Sequence, residues 1–208
     1  MTQFRDRDGQ HEIKIDMKKY IIFFTVIIVA LWGYFYFSQR EKDFFALDHK
    51  NATYIIDGKP IKLTNGLSEI EDTSGSATKI ITRYFDNEVT HDLNGDSKED
   101  VVFLLTQETG GSGLFYYVVA ALNTENGYVG SHALFLGDRI SPQNIHMDEG
   151  ETAMGTNREN VIVVNYFVRQ PDKPFTAEPS INKNLFLKLD PTTMQFGEVV
   201  QDFEGESR

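Results

Sequence analysis

The chain contains no cysteine. That excludes disulfides, thiol catalysis, a lipid-modified N-terminal cysteine and Cys-ligated zinc or iron–sulfur centres. Familiar catalytic signatures are missing too. There is no G-x-S-x-G, no phosphate-binding glycine loop and no dinucleotide fingerprint. Residues 110–113 (GGSG) lack the lysine and the following helix that phosphate cradling needs. The five histidines are His11, His49, His91, His132 and His146, and none stands in H-x-H or H-x-x-x-H spacing. No sequence-local metal site of that kind exists. Ser76-Ala77-Thr78-Lys79 matches S-x-x-K, but the S-D-N and K-T-G partners are absent.

Basic residues are in the minority: 20 Lys and Arg stand against 31 Asp and Glu, a net charge of −11. The first nineteen residues are nearly balanced, with Arg5, Arg7, Lys14, Lys18 and Lys19 against Asp6, Asp8, Glu12 and Asp16. The acidity therefore lies downstream. An acidic domain repels phosphates, which argues against a nucleic-acid partner and is compatible with cations and basic partners.

One long hydrophobic run is present, at 20–37 (YIIFFTVIIVALWGYFYF), with no charged residue in it. At about 1.5 Å per residue it reaches roughly 27 Å, close to the thickness of a bilayer core. It is apolar on every face, unlike a surface helix of a globular domain. Lys18 and Lys19 precede it, and the flank after it is of mixed charge, so the N-terminus is expected in the cytoplasm. Trp32, Tyr34 and Tyr36 fall toward the outer end, where amphipathic rings favour the interface. The run exits through bulky residues, without the small residues that signal cleavage. The expected organisation is a cytoplasmic segment 1–19, a transmembrane helix 20–37, a juxtamembrane linker 38–50, an extracytoplasmic β domain 51–200 and a flexible tail 201–208.

Beyond the linker the signals are those of β structure. Residues 53–56 and 60–63 flank Asp57-Gly58-Lys59, a hairpin signature. A polar loop is expected at 71–78. Further strands are expected at 79–85, 101–105, 114–122, 132–136, 161–168, 184–189 and 195–200. Glycines at 110–113 and the pair Asn126-Gly127 mark turns. Pro171, Pro174 and Pro179 mark a loop. No long helical period occurs outside 20–37. The expected fold class is mainly β, an antiparallel sheet or sandwich-like ectodomain, with one N-terminal transmembrane helix.

One motif carries chemistry. Residues 92–100 read DLNGDSKED, with oxygen-bearing side chains at Asp92, Asn94, Asp96 and Asp100, and Lys98 available through its backbone carbonyl. Alternating hard oxygens on a tight loop are the spacing by which a chain wraps Ca²⁺. Phe103 stands at the twelfth position, where an EF-hand needs a bidentate Glu, and a strand rather than a helix follows. The segment resembles the calcium loop of FG-GAP-type repeats, which leads into a strand. It departs from that pattern at Ser97, where glycine usually makes the sharp turn, and in being a single copy. The resemblance implies Ca²⁺ held by Asp92, Asn94, Asp96, Lys98 and Asp100. The bare reading of the same residues is an exposed acidic turn.

A wider likeness rests on 92–124 (DLNGDSKEDVVFLLTQETGGSGLFYYVVAALNT), 136–140 (LGDRI) and 184–199 (NLFLKLDPTTMQFGEV). In these runs the chain resembles a bacterial module of lipoproteins and anchored extracytoplasmic proteins, sometimes found beside META-type domains. The likeness implies a location outside the cytoplasm and brings no activity with it. Together these readings predict a non-catalytic, membrane-anchored module that binds a protein or a cell-envelope component. The competing reading is an envelope hydrolase with a dispersed carboxylate pair.

Overall fold

A computed structural model describes residues 25–32, 47–72, 78–148, 159–174 and 176–199. The chain divides into two units, 1–42 and 43–208. In the first, residues 25–32 are helical with exposed side chains. They fall inside the span expected at 20–37, and the rest of that span lies outside the described residues. Among the described residues no helix is long and apolar enough to cross a membrane. The expected cytoplasmic segment 1–19 and the tail 201–208 also lie outside them, as do most of the linker 38–50 and of the loop 71–78.

The second unit is mainly antiparallel β, as its sequence predicts. A 3-10 turn at His49–Asn51 leads into β1 (Thr53–Ile56) and β2 (Lys59–Lys62). There follow β3 (Leu67–Glu71), β4 (Lys79–His91), β5 (Asp100–Glu108), β6 (Phe115–Thr124) and β7 (Gly127–Gly130). The last five are β8 (Leu134–Asp138), β9 (Ser141–Met147), β10 (Val161–Val168), β11 (Ile181–Asp190) and β12 (Gln195–Glu198). Strands β3-β4-β5-β6-β7 form one sheet, with β8 added to β6 as its sixth member. A second sheet of four runs β12-β11-β10-β9. The β1–β2 hairpin is a separate two-stranded ribbon.

The β1–β2 turn places Asp57 at φ 49° and Gly58 at φ 76°. Two successive positive values match the right-handed twist of the flanking strands, which is why Asp-Gly makes tight hairpins. Central strands β5 and β6 read as unbroken apolar runs because both of their faces are covered. Val102, Leu104, Val118 and Ala120 meet Ile145, Ile162, Val164 and Leu187 of the four-stranded sheet. The alternate residues Val101, Phe103, Leu105, Val119 and Ala121 meet Tyr54, Ile56, Ile61 and Leu63 of the hairpin region. Phe103 and Leu104 are both wholly buried, on opposite faces. Each such side chain contributes about 1.5–3 kcal/mol by leaving water.

Two strands have no counterpart in the sequence reading. Strand β3 is short and polar, and β9 carries Pro142 near its start, which suits an edge strand. Strand β4 runs well past residue 85. Its register shifts between Phe85 and Val89, where Asn87 takes φ 76°. That irregularity ends the alternation a continuous strand would show. The strand expected at 132–136 lies at Leu134–Asp138. His132 instead makes a parallel bridge with Ile55.

Candidate functional site

The acidic loop joins β4 to β5, and its carboxylates turn back on the loop's own amides. Asp92 Oδ1 accepts from the amides of Gly95 (2.7 Å) and Asp96 (3.1 Å), and Oδ2 accepts from Ser97 (2.8 Å). Asn94 Oδ1 also accepts from Asp96 N (2.9 Å), and Asp96 Oδ1 accepts from Lys98 N (2.9 Å). The loop closes through Gly95 at φ 82° and Ser97 at φ 66°. Ser97 thus takes the left-handed conformation that suits glycine at this position. Lys98 Nζ lies 3.9 Å from Asp96 Oδ2.

Asp100 is placed differently. It is wholly buried at the start of β5. Its Oδ2 accepts from Leu93 N (2.9 Å) and its Oδ1 from Asn123 N (2.7 Å), tying the loop to β6. Burial raises its pKa above the usual carboxylate value, the two amides lower it, and Asp96 and Asp92 raise it further. Asp92 moves the other way. The Ser97 amide, aided by those of Gly95 and Asp96, holds its carboxyl below the usual range.

The five residues the sequence predicts as ligands therefore share one loop. Asp100 is sunk into the protein, while the other four stay near the surface. Among the described residues no three His, Asp or Glu side chains are grouped so as to hold a metal ion. Asp92 Oδ1 spends both lone pairs on amides, whereas Asp92 Oδ2, Asn94 Oδ1 and Asp96 Oδ1 each accept one amide and keep a second lone pair. Asp92, Asn94 and Asp96 could share oxygens with a cation while keeping their amides.

A cleft of about 930 Å³ opens beside the loop. The end of β4 lines it with His91, the end of β9 with His146, and the flanking turns with Asp148, Glu159 and Asn160. Asn160, at φ 60°, locks the two regions together. Its Nδ2 donates to Leu93 O (3.1 Å), and His91 Nε2 lies 3.1 Å from its Oδ1, which can only accept. Sequence spacing gives no sign of this grouping, because β4 and β10 are brought together only by the packing of the two sheets. Asn160 is the residue that a sequence reading had least reason to select.

On the opposite side of the six-stranded sheet, past the β1–β2 turn, lies an aromatic row in which Tyr117 is buried, Phe115 half-buried and Phe135 open to solvent. Phe135 is 53 % exposed. Its ring centroid is 5.4 Å from Tyr117 and 6.3 Å from Phe115. Tyr117 Oη donates to Asp57 Oδ2 at 3.4 Å. Burial and that carboxylate push the phenol up to about 12. A short apolar run at 133–136 signals β8 in the sequence, but not which of its faces stays uncovered.

The fold and these surfaces define an antiparallel β module whose acidic loop is self-clamped. The chain matches no family model, no curated protein and no solved structure.

Proposed function

We infer that this chain is a membrane-anchored extracytoplasmic module that binds a protein or a cell-envelope component and has no catalytic activity of its own. In this reading residues 20–37 cross the membrane, residues 1–19 stay in the cytoplasm and the β domain lies outside. The observation that carries it is the exposed ring of Phe135, held against half-buried Phe115 and buried Tyr117. An exposed aromatic side chain braced on a rigid sheet offers contact area at little entropy cost, the property binding surfaces exploit. The likeness to bacterial anchored modules, and the charge-free run at 20–37, support the location. The commitment of Asp92 and Asp100 to backbone amides speaks against these two as a proton-transfer pair.

Two measurements test it. Protease added outside intact cells should degrade the chain beyond residue 37 and spare residues 1–19. Full protection of the domain overturns the topology. The detergent-solubilised full chain should co-sediment with an insoluble cell-envelope fraction, and Phe135→Ala should weaken that binding about tenfold, the scale of one well-packed aromatic contact. Equal sedimentation with and without the envelope fraction overturns the binding role.

A second reading, an envelope hydrolase, draws on one observation. Asp148 and Glu159 line the same cleft as His91 and His146. It requires release of soluble fragments from envelope polymer by the wild-type chain, lost in Asp148→Asn and in Glu159→Gln. The Ca²⁺ reading of residues 92–100 is retained as a stabilising role, with Asp92, Asn94, Asp96 and the Lys98 carbonyl at the surface and Asp100 beneath them.

A further inference from the structure

Asparagine is depleted in strands, since its side chain competes for backbone groups and packs poorly on a pleated surface. The four-stranded sheet nevertheless carries a row of them. Asn165 of β10 pairs in register with Asn144 of β9 on one side and Asn184 of β11 on the other. Their chain neighbours Ile145, Val164, Tyr166 and Leu185 point toward the core between the sheets. By the two-residue alternation of strands, the three amides stand on the outer face. Asn144 and Asn184 are exposed and Asn165 is half-buried between them.

The amides are aligned rather than scattered. Asn165 Nδ2 donates to Asn144 Oδ1 at 2.7 Å, and Asn182 Nδ2 donates to Asn184 Oδ1 at 3.3 Å. A primary amide has two N–H donors and two acceptor lone pairs, so these bonds use a minor part of the capacity. Strand spacing sets the row at about 4.8 Å intervals. Aromatic rings flank it on both sides. Phe186 stands two residues from Asn184 on β11, and Phe167 two residues from Asn165 on β10, each about 7 Å along its strand. Both rings are partly exposed.

The charge on this face is as informative as the amides. The chain carries 31 acidic side chains. Yet the outward positions of β10 and β11 carry charge only at one end, where Lys188 and Asp190 stand and Val161 and Val163 are buried. Beside Asn165, Asn184, Asn182 and Phe167 the described residues of this face include no acid, lysine or arginine. Around the asparagines a charged polymer would find no counter-charge, and an apolar one would strand the amides without partners. Hydroxyl groups, which donate and accept at once, satisfy a primary amide in both roles. The apolar C–H faces of sugar rings suit the faces of Phe167 and Phe186.

We propose that the outer face of the four-stranded sheet recognises a neutral polysaccharide chain, with Asn144, Asn165 and Asn184 bonding its hydroxyls and Phe167 and Phe186 lying against its rings. This rests on the reading of the chain as a binding module and names the ligand class. The aromatic row at Phe135 lies on a different sheet, so the two surfaces can be tested apart.

The test is co-sedimentation of the full chain, in detergent, with insoluble cellulose and chitin, and with cross-linked polygalacturonate as the anionic control. The wild type should bind a neutral polymer and leave the anionic one. Asn165→Ala and the pair Asn144→Ala/Asn184→Ala should each weaken that binding at least tenfold without changing the circular dichroism or melting temperature. Gln143→Ala should bind as the wild type does, because that side chain turns to Ser141 and Pro142. Preference for the anionic polymer, or unchanged binding by the asparagine variants, overturns the proposal. If the wild type binds none of these polymers yet sediments with the envelope fraction, this proposal fails and the module reading stands. If it sediments with neither, both fail.

Discussion

Asp92 and Asp100 belong to one loop, yet their surroundings shift their pKa values in opposite directions. Asp92 lies near the surface and collects three amide protons, so its charged form is favoured. Asp100 is buried, so its charged form is disfavoured despite two amides. The signs of their contributions to stability follow. A lowered carboxyl pKa stabilises the fold above the unfolded value, about 3.9, and that contribution fades as pH falls through the lower folded value. A raised pKa works in reverse, and its contribution fades as pH rises through the folded value. Asp92→Asn should therefore lower the urea midpoint at pH 7. The gap from wild type should begin to narrow as pH falls below about 4 and close once pH passes the lowered folded pKa, where the wild-type carboxylate is itself protonated. A gap that is constant from pH 7 to pH 3 would mean that the Asp92 charge is not what clamps the loop. The role of Asp92 as a loop residue was legible, because Asp-x-Asn-Gly-Asp is turn chemistry wherever it occurs. The burial of Asp100 was not, since nothing in its neighbours marks which carboxylate the β5–β6 pairing will cover.

At the scale of elements, the loop and the hairpin each make a separate claim. If the loop takes up Ca²⁺, the ion binds the folded form and raises stability by mass action. With a Kd of about 10⁻³ M, at the weak end for extracellular modules, 10 mM Ca²⁺ adds about 1.4 kcal/mol. The melting temperature should rise by a few degrees, and Asp96→Ala should remove that rise while leaving the fold intact. Equal melting in millimolar calcium and in chelator would leave the loop as a turn held by its own amides. The hairpin depends on close approach. A β-carbon at Gly130 would lie 2.3 Å from Thr53 O and 2.7 Å from the Tyr54 ring. Gly130→Ala must therefore push β1 away from β7, breaking the packing of the wholly buried Tyr54. An overpacked site of this kind costs about 1–3 kcal/mol, readable as a lower urea midpoint. An unchanged midpoint would show that the hairpin rides loosely on the sheet.

At the scale of the whole molecule, the domain is held by two cores on either side of one sheet. Strands β5 and β6 belong to both. Phe103→Ala should cost about 3–5 kcal/mol, since the cavity cannot collapse between Tyr54, Tyr84 and the His49 ring packed around it. Thermal unfolding of the variant checks this, and a cost below 1 kcal/mol would mean that the hairpin core is soft. The central strands were legible because burial on both faces leaves an unbroken apolar run that few other structures need. The Asp57-Gly58 hairpin was legible because its turn geometry is local. Strands β3 and β9 were not, because an edge strand with one wet face has no long apolar pattern to announce it.

The sequence by itself determined the β class, the hairpin turns, the acidic loop and the apolar run at 20–37. Each depends on interactions between residues close in the chain, or on composition alone. Tertiary structure decided which carboxylate was buried, which aromatic ring stayed exposed, and that His91 and Asn160 would meet. It also decided that Asn144, Asn165 and Asn184 would stand in one row. Those outcomes depend on strand register and on which sheet face is covered. Both are set by contacts distant in the chain, where shifting the pairing by one residue turns every side chain to the opposite face.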